Sequence, residues 1–335
     1  MLQDLFSQVR TVDYLNYTLF PKGNLNAAST SCARDGFLIR VTFQDQRVGY
    51  ADCAPWTQWG DLSWDQQLKC LATRKITPLL QASLHCARWD AWARGLNQSL
   101  FRFPIPPSHA LVTSLKKINR SFCEKLSAEG FRHIKCKVGF HPQEEVKLLL
   151  ENEELLRTFD FKVRLDFNAS LSPEAFESFL KTLGPFKSEI DFIEDPVPYD
   201  SFMWKYLQEK NNIRLAMDQA SGSPDRGFGV FVLKPEIQQV SQWVSWCKKR
   251  SIPLVVTHRM GHPLGRAYAA WIASEIAQDS DVILETCGLL GEGIYELCEF
   301  DRGLSSVGNR LLAPSGLGLG WDQDLNQLRW KPCSL

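Results

Sequence analysis

The 335-residue chain has no excess of charge of either sign. Lys plus Arg is 38 and Asp plus Glu is 38, so the formal net charge is zero. A neutral chain has no global field with which to hold nucleic acid or an acidic membrane surface, so any attraction for an anionic small molecule must be local. No run approaches the roughly 18 apolar residues of a membrane span. The opening, MLQDLFSQVRTVDY, lacks an apolar core followed by a small-residue cleavage site and does not read as a signal peptide. The ten cysteines stand singly between Cys32 and Cys333 with no C-x-x-C pair, which argues against a zinc knuckle or a thioredoxin-like motif. Cys136 in IKCKV and Cys287 in VILETC lie inside apolar runs, as buried reduced thiols do. The expectation is a cytoplasmic protein whose partner is a small molecule, not nucleic acid or membrane.

The length suggests about two domains, or one large barrel with an appendage. Residues 36–43, GFLIRVTF, are followed by a polar turn at 44–47 and then by VGYADCAP, which predicts a hairpin. Residues 62–100 have no internal glycine until Gly95 and read as helices. The proline cluster FPIPPS at 103–108 marks a boundary. Beyond it eight short apolar runs recur: HALVTS, FRHIKCKVG, KVRLDFNAS, IDFIEDPVP, IRLAMDQA, GVFVLKP, PLVVTHRM and DVILETC. Helical spacing fills most gaps, as at 142–158 and 173–184. Eight such units predict an α/β fold with a closed parallel (β/α) barrel. Between the fifth and sixth runs, ASGSPDRGFG is all turn chemistry, so that unit is expected to be short or distorted.

Charged side chains in a buried parallel strand are costly unless they are paired, metal-bound or functional. Here they cluster at the C-terminal strand ends, where barrels keep their active sites. Lys135 and Lys137 are two apart on the second run and so share a face. Asp166 and Asn168 follow on the third, Glu194 on the fourth, Asp218 on the fifth and Lys234 on the sixth. The spacings of 29, 28, 24 and 16 residues between Lys137, Asp166, Glu194, Asp218 and Lys234 are each close to one βα unit. Three converging carboxylates repel one another without a cation, and hard oxygen ligands favour Mg²⁺ over zinc or copper. Lysines flanking such a metal suit proton transfer at a carbon beside a carboxylate.

Arg164, two residues before Asp166, is expected to face inward, as a substrate-contacting or supporting residue or as an exposed loop arginine. Asn168 either forms a turn or orients the site. His258 and His262 make an H-x-x-x-H pair, but Gly261 and Pro263 break the helix a zinc site would need, and a basic loop beside an anionic substrate is the better reading. The glycine-rich SGLGLG has no strand–turn–helix context and is not a dinucleotide fingerprint. Residues 20–28, FPKGNLNAA, read as a loop.

The ordered series Lys135-x-Lys137, Asp166, Glu194, Asp218, Lys234 resembles the muconate-lactonising branch of the enolase superfamily. So do VRLDFN at 163–168, FIEDPVP at 192–198, RDGFLIRV at 34–41, GYADCAPWTQWGD at 49–61 and APSGLGLGWD at 313–322. The resemblance covers most of the chain. It implies a modified (β/α)7β barrel over about 106–305 under an α+β capping domain of residues 1–105, completed by about 306–335. It also implies Asp166, Glu194 and Asp218 as Mg²⁺ ligands, Lys137 as the base that later returns the proton as an acid, Lys234 as the charge on the opposite face, and Lys135 as a tuning group. The 20–28 loop would close over substrate. Within the branch the likeness is greatest to the lyases of menaquinone synthesis that dehydrate 2-succinyl-6-hydroxy-2,4-cyclohexadiene-1-carboxylate to 2-succinylbenzoate. Two departures stand out. Gln219 and Ala220 follow Asp218 where relatives often have Glu-Ser, and His258 and Arg259 stand on strand seven where serines are common. Other readings stay open: an N-acylamino acid racemase or dipeptide epimerase of the same branch, although ILETCG lacks the Asp-x-Asp usual in dipeptide epimerases, and a decayed barrel that binds an acid without turnover.

Overall fold

The computed structural model describes residues 4–23, 25, 32–218, 227–291 and 293–334. After a short helix α1 (Asp4–Ser7), strands β1 (Val9–Leu19), β2 (Arg34–Phe43) and β3 (Val48–Cys53) form an antiparallel meander. The expected hairpin is β2–β3, closed by the polar turn in which Gln46 takes a left-handed φ of 66°. Helices α2 (Trp64–Ala72) and α3 (Pro78–Gly95) follow, and α3 starts where the Thr77 side chain accepts from Leu80 N–H. At Gly49 the strand and α3 touch backbone to backbone. A Cβ there would lie 1.9 Å from the Ala87 carbonyl oxygen and 2.6 Å from the Ala91 nitrogen. Neither atom can rotate away. Gly49→Ala is therefore expected to cost about 3 kcal/mol or more, the upper end for overpacking; thermal melting of the variant checks this, and an unchanged Tm refutes it.

The second layer is the barrel. Strands β4 (Ala110–Val112), β5 (His133–Lys137), β6 (Lys162–Asp166), β7 (Ile190–Glu194), β8 (Leu215–Met217), β9 (Val230–Leu233) and β10 (Leu254–Val256) pair as parallel neighbours in that order. Helices α4 (Arg120–Ala128), α5 (Pro142–Glu151), α6 (Glu153–Thr158), α7 (Pro173–Leu183), α8 (Ser201–Asn211), α9 (Val240–Lys248) and α10 (Pro263–Ile276) lie between or after them. Proline at the first turn of α5, α7 and α10 suits positions whose N–H would lack a partner anyway. Helix-like spacing over 142–158 proves to be two helices that share Asn152 as a cap. The eighth run, DVILETC, is not a regular strand. It still closes the ring through single bridges, with Leu254 N donating to Ile283 O (2.8 Å) and His109 N to Cys287 O (2.8 Å). Among the described residues between β8 and β9 there is no helix, and residues 219–226 lie outside the description.

The barrel interior is filled low down by Phe192, Ala216, Val230, Val232 and Val255, each at most 1% exposed. The larger core lies between the strands and the surrounding helices. A hairpin of β11 (Ser306–Val307) and β12 (Arg310–Leu311) lies against the barrel, where Asn309 N–H bonds Glu129 O at 3.1 Å. The chain then returns to the first layer. Leu319 N–H donates to buried Asp90 (2.6 Å), Arg94 pairs with Asp90 and Asp322, helix α11 (Asp322–Gln327) follows, and β13 (Lys331–Cys333) joins the meander beside β1. Among the described residues no helix is long and apolar enough to cross a membrane.

Candidate active site

Register assembles the site. In the β5–β6 ladder Lys137 lies beside Asp166, and in the β6–β7 ladder Asp166 lies beside Glu194. Because neighbouring parallel strands share one inner face, these side chains meet at the C-terminal mouth. Lys137 Nζ donates to Asp166 Oδ2 at 2.6 Å and lies 3.4 Å from Asn168 Oδ1. Lys135 Nζ reaches both Glu194 oxygens (2.7 and 2.6 Å) and Asp166 Oδ2 (2.8 Å). From the other side of the mouth, Lys234 on the loop after β9 pairs with Asp218. All of these except Lys234 are buried.

Burial alone would raise Asp166, but the two ammonium groups outweigh it and hold that carboxyl well below the usual range. Glu194 moves the other way, pushed up to about 7 by burial and by the charge of Asp166, with Lys135 opposing. Asp195, also buried, is pushed well up by burial and then by Asp218 and Glu194. Its Oδ1 accepts from Asp218 N–H at 3.2 Å, so it holds the backbone of Asp218 just past the end of β8. Asn168 and Ala169 take left-handed φ of 51° and 56°, so Asn168 serves as both turn residue and neighbour of Lys137.

A cavity of about 830 Å³ opens above these groups. Its walls include Lys135, Lys137, Asp218, Lys234, His109 and His258. The roof joins the two layers. Leu25, Trp56 and Ile294 form a buried apolar cluster, and Arg34 lies over the Trp56 ring at 4.1 Å. The same guanidinium donates to the carbonyls of Arg259 (2.9 Å), Met260 (2.7 Å) and Ala54 (3.1 Å). Arg259 in turn pairs with Asp61 at 2.8 Å. Lys22 N–H bonds Ile294 O at 2.9 Å; residues 24 and 26–28 of the expected loop lie outside the description.

Some expected residues land elsewhere. Arg164 does face inward but lies below the site and does not line the cavity. It is 1% exposed and held by Asp191 (2.7 Å), Thr286 O (2.5 Å) and His109. Alternation fixes which side of the strand it faces but not its height in the barrel. His258 lines the cavity as a neutral ring: burial, then the charge of Arg266, pushes its pKa down to about 3, and its Nδ1 accepts from Met260 N–H. His262 is spent on capping α10, accepting from Leu264 N–H at 3.2 Å. Gln219 lies outside the described residues. His109 and Thr257 were not anticipated, although each stands at the inner edge of an anticipated strand.

The first layer matches a family model described as O-succinylbenzoate synthase, N-terminal domain, over residues 12–93, and residues 118–226 match one described as Enolase C-terminal domain-like. The chain is 32% identical to an o-succinylbenzoate synthase of Bdellovibrio bacteriovorus over 95% of its own length and 97% of that protein's. It is 26% identical to an o-succinylbenzoate synthase of Thermosynechococcus vestitus over 60% of its length and 68% of that protein's. Among solved structures it resembles 2-chloromuconate cycloisomerase from Rhodococcus opacus, with TM-score 0.77, 16% identity and coverage of 95% of this chain and 98% of the other. It likewise resembles the L-Ala-D/L-Glu epimerase of Bacillus subtilis, with TM-score 0.74, 16% identity and coverage of 93% and 98%. At such identity the two structures speak for the fold, a barrel under a capping layer. Near-complete coverage at 32% identity speaks for more: the chain belongs to the o-succinylbenzoate synthase family of the enolase superfamily.

Proposed function

We propose that the protein is a hydro-lyase that converts 2-succinyl-6-hydroxy-2,4-cyclohexadiene-1-carboxylate to 2-succinylbenzoate, with Lys137 as the group that moves the proton. The observation that carries the reading is two lysines, on β5 and after β9, facing one carboxylate-lined mouth from strands separated by β6, β7 and β8. Lys137 takes the proton α to the ring carboxylate, and the electron pair spreads into an enediolate. As the C–OH bond breaks, the same ammonium returns the proton to the departing hydroxide, so that water leaves and the ring becomes aromatic. Lys234, on the opposite side, stabilises the enediolate by charge. Lys135, between Asp166 and Glu194, positions those carboxylates and adds a positive neighbour to Lys137. We assign residues 106–305 to the catalytic barrel and 1–105, completed by about 306–335, to the capping domain.

Asp166, Glu194 and Asp218 would hold Mg²⁺. As the side chains stand, no three His, Cys, Asp or Glu groups among the described residues are gathered closely enough to hold a metal, because lysine ammonium groups lie among the carboxylates. The donors nonetheless fit a hard cation. They are carboxylate oxygens from three successive strands, and Asp218 Oδ1 is buried with no hydrogen-bond partner among the described residues. When bound, the ion would supply the positive charge that these carboxylates now draw from lysines and would stabilise the enediolate.

The test is direct assay of the purified protein with the cyclohexadiene substrate and Mg²⁺, alongside N-succinylamino acids in D₂O followed by NMR. Dehydration is expected to be the faster reaction. Opposed lysines also permit slow α-proton exchange on the amino-acid substrates; exchange faster than dehydration would reverse the assignment in favour of a racemase.

A further inference from the structure

His109 immediately precedes β4 and lines the catalytic cavity, yet it has no part in the chemistry above. Its ring is 4% exposed. Arg164 Nη1 approaches His109 Nδ1 at 3.1 Å. A guanidinium can only donate, so Nδ1 must be the accepting nitrogen and the ring's single proton sits on Nε2. Arg164 cannot turn away: Asp191 holds its Nε at 2.7 Å, Thr286 O its Nη1 at 2.5 Å, and the Phe192 ring lies 4.5 Å beneath it. Burial, with Arg164 and Lys135 nearby, holds the pKa of His109 well below the ordinary histidine value, so the ring stays neutral. Among the described residues none accepts a hydrogen bond from Nε2. The chain also makes room for this edge of the ring, since a Cβ at Gly288 would lie 2.8 Å from Nε2 and 2.7 Å from Cε1.

We infer that His109, fixed in its Nε2–H tautomer by Arg164, contacts the substrate by donating a hydrogen bond to one of its carbonyl or carboxylate oxygens. Arg164 is then a positioning residue that acts through His109. The inference rests on the functional reading above for the identity of the ligand, and deepens it.

The test combines nitrogen NMR with kinetics. In ¹⁵N-labelled protein, assigned by comparison with His109→Gln, His109 is expected to show an Nε2–H, Nδ1-bare signature at pH 7, and its Nε2 resonance is expected to move on addition of 2-succinylbenzoate. An Nδ1–H tautomer, or no response to that ligand, overturns the inference. His109→Phe keeps a ring and loses the donor. It is expected to raise KM for the cyclohexadiene substrate about tenfold, as loss of one hydrogen bond inside a cavity does, with kcat little changed. His109→Gln, which restores an N–H at similar reach, is expected to recover most of that loss; a structural role alone would not produce such recovery. An unaltered KM in the Phe variant overturns the inference. If that variant does not fold, the wild-type nitrogen shifts with and without 2-succinylbenzoate decide alone. Arg164→Gln is expected to give mixed tautomers, and an unchanged signature removes Arg164 from its role. If the wild-type protein failed to dehydrate the cyclohexadiene acid, the functional reading would fall, while the NMR response to 2-succinylbenzoate would still decide for or against His109.

Discussion

Lys137→Ala is expected to lower kcat for dehydration by about 10³- to 10⁴-fold, the upper range for removal of a general acid–base group. The effect should fall at that upper end because, in the proposed mechanism, the lysine acts twice, first taking the α-proton and then protonating the departing hydroxide. The fold should survive. Asp166 keeps Lys135 at 2.8 Å, so no carboxylate is left buried without a cation when the Lys137 ammonium is removed. Steady-state rates of 2-succinylbenzoate formation, with circular dichroism and Tm as controls, check this. A folded Lys137→Ala enzyme within tenfold of wild type would mean that another group carries the proton.

Glu194→Gln carries the second large effect. The amide preserves shape, and Lys135 retains Asp166, so the barrel should remain closed. One formal charge and one anionic ligand are lost from a site proposed to hold a divalent ion. Altering even a residue that only supports a ligand costs about 10- to 100-fold in affinity, so loss of a ligand should weaken Mg²⁺ binding by about 100-fold or more. Isothermal titration with Mg²⁺ in the absence of substrate reads this independently of turnover, and activity against Mg²⁺ concentration reads its consequence. Near-normal activity of the variant at low Mg²⁺ would show that Glu194 is not a ligand.

The order of charged residues was readable because a parallel strand buries both faces. A lysine or carboxylate near the end of an apolar run is conspicuous there, and the spacing of one βα unit carries the pattern from Lys137 to Lys234. The hairpin of β2 and β3 was readable from its polar turn. Other features depend on height and on contacts distant in sequence. Arg164 obeys the alternation that places Asp166 inside, but it lies a layer deeper, where Asp191 and Glu285 meet it. Nothing in HALVTS marks His109 as a wall of the cavity, because its role depends on Arg164 and Gly288, 55 and 179 residues away. The closing segment after α10 reads as a strand like the others, yet it pairs only through single bridges. Asp195 was visible in FIEDPVP, but its bond to Asp218 N–H follows from a left-handed turn (φ 40°) that composition does not announce.

The lower barrel bears on traffic through the site. Beneath the catalytic groups lie the plug of Phe192, Ala216, Val230, Val232 and Val255, and a layer in which Arg164 and Arg214 are tied to Asp191 and Glu285. An apolar plug of this kind offers a water molecule no hydrogen-bond partner. On the proposed reaction, substrate, aromatic product and the expelled water molecule would therefore move on the side of the cavity away from this plug, where Trp56 lines the wall and packs with Leu25 and Ile294. A reaction that makes two products in such a chamber must clear both before the next molecule enters. The rate at which they leave bounds turnover, however fast the proton is moved.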